Sequence, residues 1–497
     1  MKKRTAPDWL LLALVCLAQF MVVLDISIVN VALPSIQREL HFSSSSLQWV
    51  VNAYTLTFAG FLLLGGRAAD LFGRRRVFLV GLTMFTAASF VGGLAQTQGM
   101  LIGARALQGL GGAVLAPATL TILTTSFAEG PARARALGVW SAVAAAGASA
   151  GALLGGILTD LISWRWILFV NVPVGVLAIV AARAFLPESR ADVEHRRLDV
   201  AGAVTVTAGL LALVFAIVRS QTHSWGSSQV LLPLAGAIAL LGAFALIEGR
   251  LSTSPLVPFR IFRSRALAGG NAFLMLFFAA AFGAWYFETL YMQRVLGYTP
   301  LQAGLAFLPQ TLLIAVGAQY TARLVIKFGA RRPLLVGTVL STLGLAWLSR
   351  ITPASTFGAD LLGPYLLIGV GFGLSITPVV IAATSGVPRE DAGLASGLLN
   401  TSRTVGAAIG LASLATIAAN RTAALLGGET HTSAAAALTA GYARAFEIGV
   451  VLMLAAIVVA ALTIPSLRGA PPMEVPTSAP GEPEAVVVGN ETELETA

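Results

Sequence analysis

The chain has 497 residues, 56% hydrophobic and only 11% charged, with a formal net charge of +9. Soluble domains carry about 25% charged residues, so 23 acids and 32 bases cannot clothe a water-facing surface of this size. A soluble multidomain enzyme and a disordered chain are both excluded, and lipid has to cover the surface. The bases, 29 of them Arg, sit in short clusters between apolar runs. That is how membrane topology is written, so no nucleic-acid partner is expected. The single cysteine, Cys16, lies in an apolar run, and His41, His195, His223 and His431 fall in loops without ligand spacing. No disulfide and no metal site are expected.

Apolar runs of about 20 residues, the length of a bilayer-spanning helix, recur fourteen times. In the first half they cover 9–33, 47–66, 77–95, 100–123, 135–158, 165–186 and 199–219. They continue at 230–248, 266–291, 301–323, 333–350, 360–384, 393–419 and 444–464. The first run is too long for a signal-peptide core, lacks a small-residue cleavage site and carries Asp25 and Asn30, so it reads as a retained helix. With the N-terminus inside, 23 bases fall in cytoplasmic segments and 7 in outer ones, which puts both termini in the cytoplasm. The connection Gly73-Arg74-Arg75-Arg76 after span 2 has a counterpart, Gly329-Ala330-Arg331-Arg332, after span 10. That pairing divides the chain into an N-terminal six-helix bundle (1–198), a two-helix insertion (199–250) and a C-terminal six-helix bundle (251–468). A site at the interface of two such bundles is a transporter layout. The tail, 469–497, carries six Glu and no base and is expected to be a disordered cytoplasmic segment.

Several spans carry polar residues that hydrophobicity alone does not explain. Span 1 ends Leu24-Asp25-Ile26-Ser27-Ile28-Val29-Asn30-Val31-Ala32-Leu33-Pro34, which puts Asp25 roughly 13 Å below the outer face at 1.5 Å per residue. The exit of span 2 reads Gly66-Arg67-Ala68-Ala69-Asp70-Leu71-Phe72-Gly73 and runs into Arg74, Arg75 and Arg76. Gly66 is expected to admit a neighbouring helix, Gly73 to make a tight turn, and Asp70 to face a helix N-terminus or an Arg. In span 4, Arg105, Gln108, Gly109 and Gly112 share one helical face. An Arg at membrane depth costs at least ~2.5–3.5 kcal/mol and needs a partner or a watery cavity. Arg105 lies roughly 9 Å from the face nearest Asp25, so the two are within possible reach. An acid set between desolvation and a guanidinium can load a proton in one conformation and release it in another.

Further along, Gly147, Gly151 and Gly155 of span 5 make a small-xxx-small face for helix packing. Trp164 and Trp166 suit the outer interface. Span 9 sets Glu288 on a face with Phe277, Trp285 and Tyr291, as a lipophilic cation would require through charge and cation–π contact; a few residues from the outer edge, it reads equally as a solvated, interfacial acid. Arg403 in span 13 lies near mid-membrane and is expected to pair with a carbonyl or an acid of its own bundle. Asp160 and Glu248, at span ends, are expected to be solvated.

The Gly66–Arg76 string resembles the signature loop of the major facilitator superfamily, and the Arg105–Gly112 string resembles its second motif. The end of span 1, the stretch Trp164–Gly175 and the run Tyr291-Met292-Gln293 through Gly297-Tyr298 resemble the fourteen-helix drug:proton antiporter family. That resemblance implies an all-α integral membrane protein of fourteen transmembrane helices, arranged as two six-helix bundles plus the insertion. It also implies that Gly66, Asp70, Gly73, Arg74 and Arg75 form a conformational gate, in which Asp70 meets the start of span 13 near Asp391-Ala392-Gly393. Asp25 and Arg105 become the proton-coupling pair; Glu288 is not carried over from the family, and the substrate contacts expected from the residues themselves are Phe277, Trp285, Glu288, Tyr291 and Gln108. Two departures stand out: Leu71 replaces a usual base, and Ala152 stands where the antiporter motif has proline.

Lys2, Lys3 and Lys327 are the only lysines and none follows a phosphate-binding loop, so no ATP site is expected. No nucleophile, base and acid come together, so the chain is not expected to be an enzyme. The expected function is proton-coupled export of lipophilic, often cationic drugs or antibiotics by alternating access. The exporter would be a monomer in the cell membrane, with the proton as its coupling ion and no cofactor. A transporter of an endogenous metabolite in the same fold, or a transport-inactive sensor or scaffold, would share these features.

Overall fold

The structure, a computed structural model, describes residues 7–127, 131–188, 199–220, 222–252, 255–385, 387, 392–427 and 433–465. The expected disordered tail, Asp391 and the side chain of Asp70 lie outside the described residues. Within them the longer helices are α1 (Asp8–Leu40), α2 (Trp49–Phe72), α3 (Arg74–Gly93), α4 (Gln98–Ser126), α5 (Pro131–Leu161), α6 (Asn171–Phe185) and α7 (Val200–Arg219). They continue as α8 (Ser228–Leu246), α9 (Arg265–Arg294), α10 (Leu308–Phe328), α11 (Arg331–Leu348), α12 (Leu362–Thr384), α13 (Ala392–Leu426) and α14 (Ala434–Thr463). Short helical turns, Trp166–Phe169 and Pro300–Ala306, lead into α6 and α10.

Among the described residues, 12 helices are long and apolar enough to cross a membrane, which makes this a multi-pass membrane protein. The expected number was fourteen. The two long helices outside that set are α11, which is only 18 residues and opens on Arg331-Arg332, and α5, whose apolar described stretch is Ala150–Leu161.

Helix starts follow local chemistry. Thr97, Ser264 and Ser433 accept a backbone N–H at the heads of α4, α9 and α14, and Thr299 and Gln302 close a capping box. Gly73 (φ 102°) and Gly329 (φ 77°) make the breaks between α2 and α3 and between α10 and α11. An L side chain is strained at both positions.

Helix pairings repeat when the helix number rises by eight. α1 packs on α5 as α9 packs on α13, α2 on α4 as α10 on α12, α3 on α4 as α11 on α12, and α3 on α6 as α11 on α14. Glycine permits the closest of these approaches. A Cβ at Gly151 of α5 would stand 2.6 Å from Ser27 Cβ of α1, and one at Gly155 would stand 2.7 Å from Ile28 O. Gly147 also faces α1, at Phe20. The α5 glycine face is therefore spent on α1.

At the end of the molecule where α1 terminates, the two sets of helices meet. Gln293 Nε2 donates to Val31 O (2.8 Å), Arg294 donates to Gln37, and Gly156 and Ala152 lie against Pro300 and Gly304. The α7–α8 hairpin sits on the seam. Thr207 of α7 lies against Gly60 of α2, and Thr416 of α13 donates to Ile217 O of α7 (3.3 Å). α8 packs on α7 and leaves most of its surface exposed.

Candidate functional site

Asp25 and Arg105, matched in depth by residue counting, are in direct contact. Arg105 Nη1 donates to Asp25 Oδ2 at 2.5 Å, and the two side chains are 2% and 0% exposed. Four helices besides α1 contribute to the network around this pair. Gln108 Nε2 of α4 donates to Asp25 Oδ1 (2.6 Å) and to Ser89 Oγ of α3 (2.6 Å), and Asn171 Nδ2 of α6 donates to the same Oδ1 at 3.2 Å. From α2, Val50 O accepts from Arg105 Nε (3.0 Å), and the Tyr54 ring lies 4.4 Å from Arg105 Cζ. Arg105 Nη1 also reaches Gln108 Oε1 at 2.6 Å.

This is a compensated buried charge pair: the acid accepts from three side chains, and the guanidinium keeps a carbonyl, an amide oxygen and a ring besides the acid. If Asp25 took up a proton, Arg105 would still hold those three contacts. Such a pair can exchange a proton without stranding the positive charge.

Gln108 differs from expectation. Both ends of its amide are engaged in this network, in the first six helices, and it does not meet the other residues of the expected substrate set. Residue reading missed Ser89, Asn171 and Tyr54. The available signal was polar residues within apolar runs, Ser89 in Ala87-Ala88-Ser89-Phe90 and Asn171 in Phe169-Val170-Asn171-Val172.

The other expected contacts lie on α9. Phe277 and Trp285 converge on Phe372 of α12, each with ring centroids at 5.3 Å, a partner that span 9 alone could not reveal. Tyr291 instead donates its hydroxyl to Thr352 O (2.6 Å). Glu288 is 1% exposed, and neither carboxylate oxygen has a hydrogen-bond partner among the described residues. The expectation of a possible solvated, interfacial acid therefore gives way to a buried and uncompensated one.

Arg403 has no acid or carbonyl partner among the described residues. Its Cζ stands 5.4 Å from the ring centroid of Phe278.

Other readings change as well. Trp164 is buried and donates Nε1 to Glu39 Oε2 (2.6 Å), while Trp166 remains exposed. Glu248 is buried and accepts from Val257 N (2.9 Å), because the chain folds back over the end of α8, whereas Asp160 is exposed as expected. At the signature loop the close helix approach belongs to Gly65, where a Cβ would stand 2.3 Å from Ala113 O. Gly66 has only an ordinary contact with Pro117 at 3.5 Å. Arg75 Nη2 donates to Arg183 O (2.5 Å) and its backbone N–H to Glu188 Oε1 (3.2 Å), which ties the loop to the end of α6. Arg74 is partly buried beside it.

Residues 15–411 match the profile of the Major Facilitator Superfamily. The chain is 45% identical over 474 residues to the cephamycin export protein CmcT of Amycolatopsis lactamdurans, covering 95% of each chain. It is 42% identical to the puromycin resistance protein pur8 of Streptomyces alboniger, over 90% of each. Among solved structures it resembles a bacterial homologue of the human lysosomal transporter Spinster, in an inward-facing, unoccupied conformation. There the TM-score is 0.65 at 16% identity, over 92% of this chain and 97% of that one. It also resembles a peptide transporter POT in complex with sulfate, with TM-score 0.66 at 16% identity, over 92% and 96%. At that identity the structural likeness speaks for the fold alone.

Proposed function

The chain belongs to the Major Facilitator Superfamily, and from that premise we propose that it is a proton-coupled exporter of lipophilic antibiotics and drugs. Asp25 exchanges the proton and Arg105 holds its counter-charge. The observation that carries this reading is the fully buried Asp25–Arg105 pair, at the centre of a hydrogen-bond network drawn from five helices. An ionisable pair at membrane depth needs a purpose beyond stability, since apolar packing would serve stability as well. Relatives named for cephamycin export and puromycin resistance support the cargo class.

In this reading α5 and α11 cross the bilayer with the other twelve helices. The chain then divides at 1–198, 199–250 and 251–468, and both termini face the cytoplasm. The end at which Gln293 meets Val31 is then the outer one, and it is closed in this conformation. Each charge moved across 100 mV contributes about 2.3 kcal/mol, enough to bias the cycle toward export. Glu288, beside Trp285 on α9, receives the positive group of cationic cargo. Asp70 works with Gly73 and the arginines at the cytoplasmic gate, where it meets the start of α13.

The test separates coupling from binding. Asp25→Asn in proteoliposomes should abolish efflux driven by a pH gradient while leaving substrate counterflow within about twofold. Efflux near the wild-type rate under the gradient would refute the assignment of the proton to Asp25.

A further inference from the structure

Arg403 occupies a position that the coupling scheme leaves unused. It lies opposite Phe278, at the mid-length of α9, and Phe278 in turn packs edge-on to Phe372 of α12 with centroids at 5.4 Å. Arg403 of α13 thus meets α9 directly at Phe278 and α12 only through the Phe278–Phe372 ring contact. Its place is set by backbone contact on the same face of α13: a Cβ at Gly406 would stand 2.2 Å from Met275 O, and one at Gly410 would stand 2.3 Å from Ala279 Cα.

A guanidinium carries five N–H donors in a planar fork. Arg105 directs its donors to three acceptors, whereas the recorded contact of Arg403 uses only a ring face. The adjacent Ser402 and its partner Asn271 are committed to each other and to the backbone. Ser402 Oγ donates to Asn271 Oδ1 (2.7 Å), and Asn271 Nδ2 donates to Leu267 O (2.8 Å). Arg403 keeps partial exposure and so can be reached. Beside it runs a wall of rings in mutual contact: Phe277, Phe278, Phe372 and Trp285.

We propose that Arg403, with Phe278 and Phe372, forms a subsite for the acidic group of an aromatic, lipophilic substrate, a carboxylate seated on the guanidinium fork with its ring system against the aromatic wall. The inference rests on the transporter reading and extends the cargo from cations to organic anions. A planar oxyanion matches the fork bidentately, and the apolar wall makes that bond count for more than it would in water. A lipid phosphate is a poor alternative at this depth, since headgroups lie at the bilayer surface.

The experiment measures equilibrium binding to purified full-length protein in nanodiscs, using three aryl carboxylates (naproxen, 1-pyrenebutyrate and 2-naphthoate) and their methyl esters. Wild type should bind each acid at least about tenfold more tightly than its ester, the factor expected of one charge-assisted pair. Arg403→Gln should remove that preference while moving ester affinity less than twofold, and Arg403→Lys, which keeps the charge without the fork, should fall between. Equal affinity for acids and esters in wild type, or an equal loss for both in Arg403→Gln, would overturn the subsite. Should Arg403→Gln not fold, the wild-type ratio and Arg403→Lys decide. Proton-driven ethidium efflux by the same wild-type protein reconstituted in proteoliposomes reports separately on the transporter reading, because it does not involve the anion preference.

Discussion

Asp25 and Arg105 in the first six helices, and Glu288 and Arg403 in the last six, are ionisable groups within apolar helices that share one pairing scheme. Their surroundings differ in kind. The first pair sits in a closed set of donors and acceptors drawn from α1, α2, α3, α4 and α6. In the second bundle the acid has no hydrogen-bond partner among the described residues, and the base has only a ring. A compensated charge is held in place and changes state only when the clamp opens. An uncompensated one is costly until something arrives to complete it. One pairing scheme thus holds a compensated charge pair in its first half and uncompensated groups in its second.

The largest expected effect tests the first side of that contrast. Arg105→Ala strands a buried carboxylate and should lower stability by about 3–5 kcal/mol, read by thermal or denaturant unfolding in detergent. Arg403→Gln in the same assay should cost less than about 1 kcal/mol. Equal losses would erase the distinction.

A smaller effect probes how the clamp is aimed. At Gly109 a Cβ would stand 2.2 Å from Thr57 Oγ1 and 2.3 Å from Tyr54 O, a backbone atom that cannot retreat alone. Gly109→Ala should therefore cost about 1–3 kcal/mol and slow gradient-driven efflux. Gly103→Ala, with nothing within 4 Å, is its silent control.

The smallest stability change belongs to Glu288→Gln, within about 1 kcal/mol and in the stabilising direction, because a neutral amide replaces a buried group that can carry charge. Its signature is selectivity: efflux of cationic dyes should fall several-fold more than efflux of neutral ones. An equal loss for both would remove Glu288 from the cargo site.

Much of this contrast was legible in residue order, and what was not has physical reasons. Helix rise alone put Asp25 and Arg105 at similar depth, and a 2.5 Å contact is what matched depth allows. The clamp's outer members escaped notice because Ser89 and Asn171 are small polar residues in apolar runs, and no periodicity tells whether such a side chain faces lipid, a neighbour or a charge. Gln108 shares a face with Arg105, but a face does not specify which neighbour it meets, and the neighbour proved to be Asp25. Gly65 and Gly66 differ by one residue, about 100° around the helix. Only the position of α4 determines which of them needs to be glycine.

The α7–α8 hairpin carries a mechanical consequence. It touches α2 through the Thr207 methyl and hydroxyl face and α13 through Thr416, but Thr207 gives its own proton to Ala203 of the same helix, and the Thr416 hydroxyl, 3.3 Å from Ile217 O, lies closer to Ala412 O of its own helix (2.8 Å). Around those two points the joint is dry hydrocarbon: Leu56, Leu210, Val214, Ala408 and Ala412. If the lobes tilt against each other, this element acts as a greased bearing. It keeps lipid tails out of the crevice while offering almost no directional bonds to resist the slide.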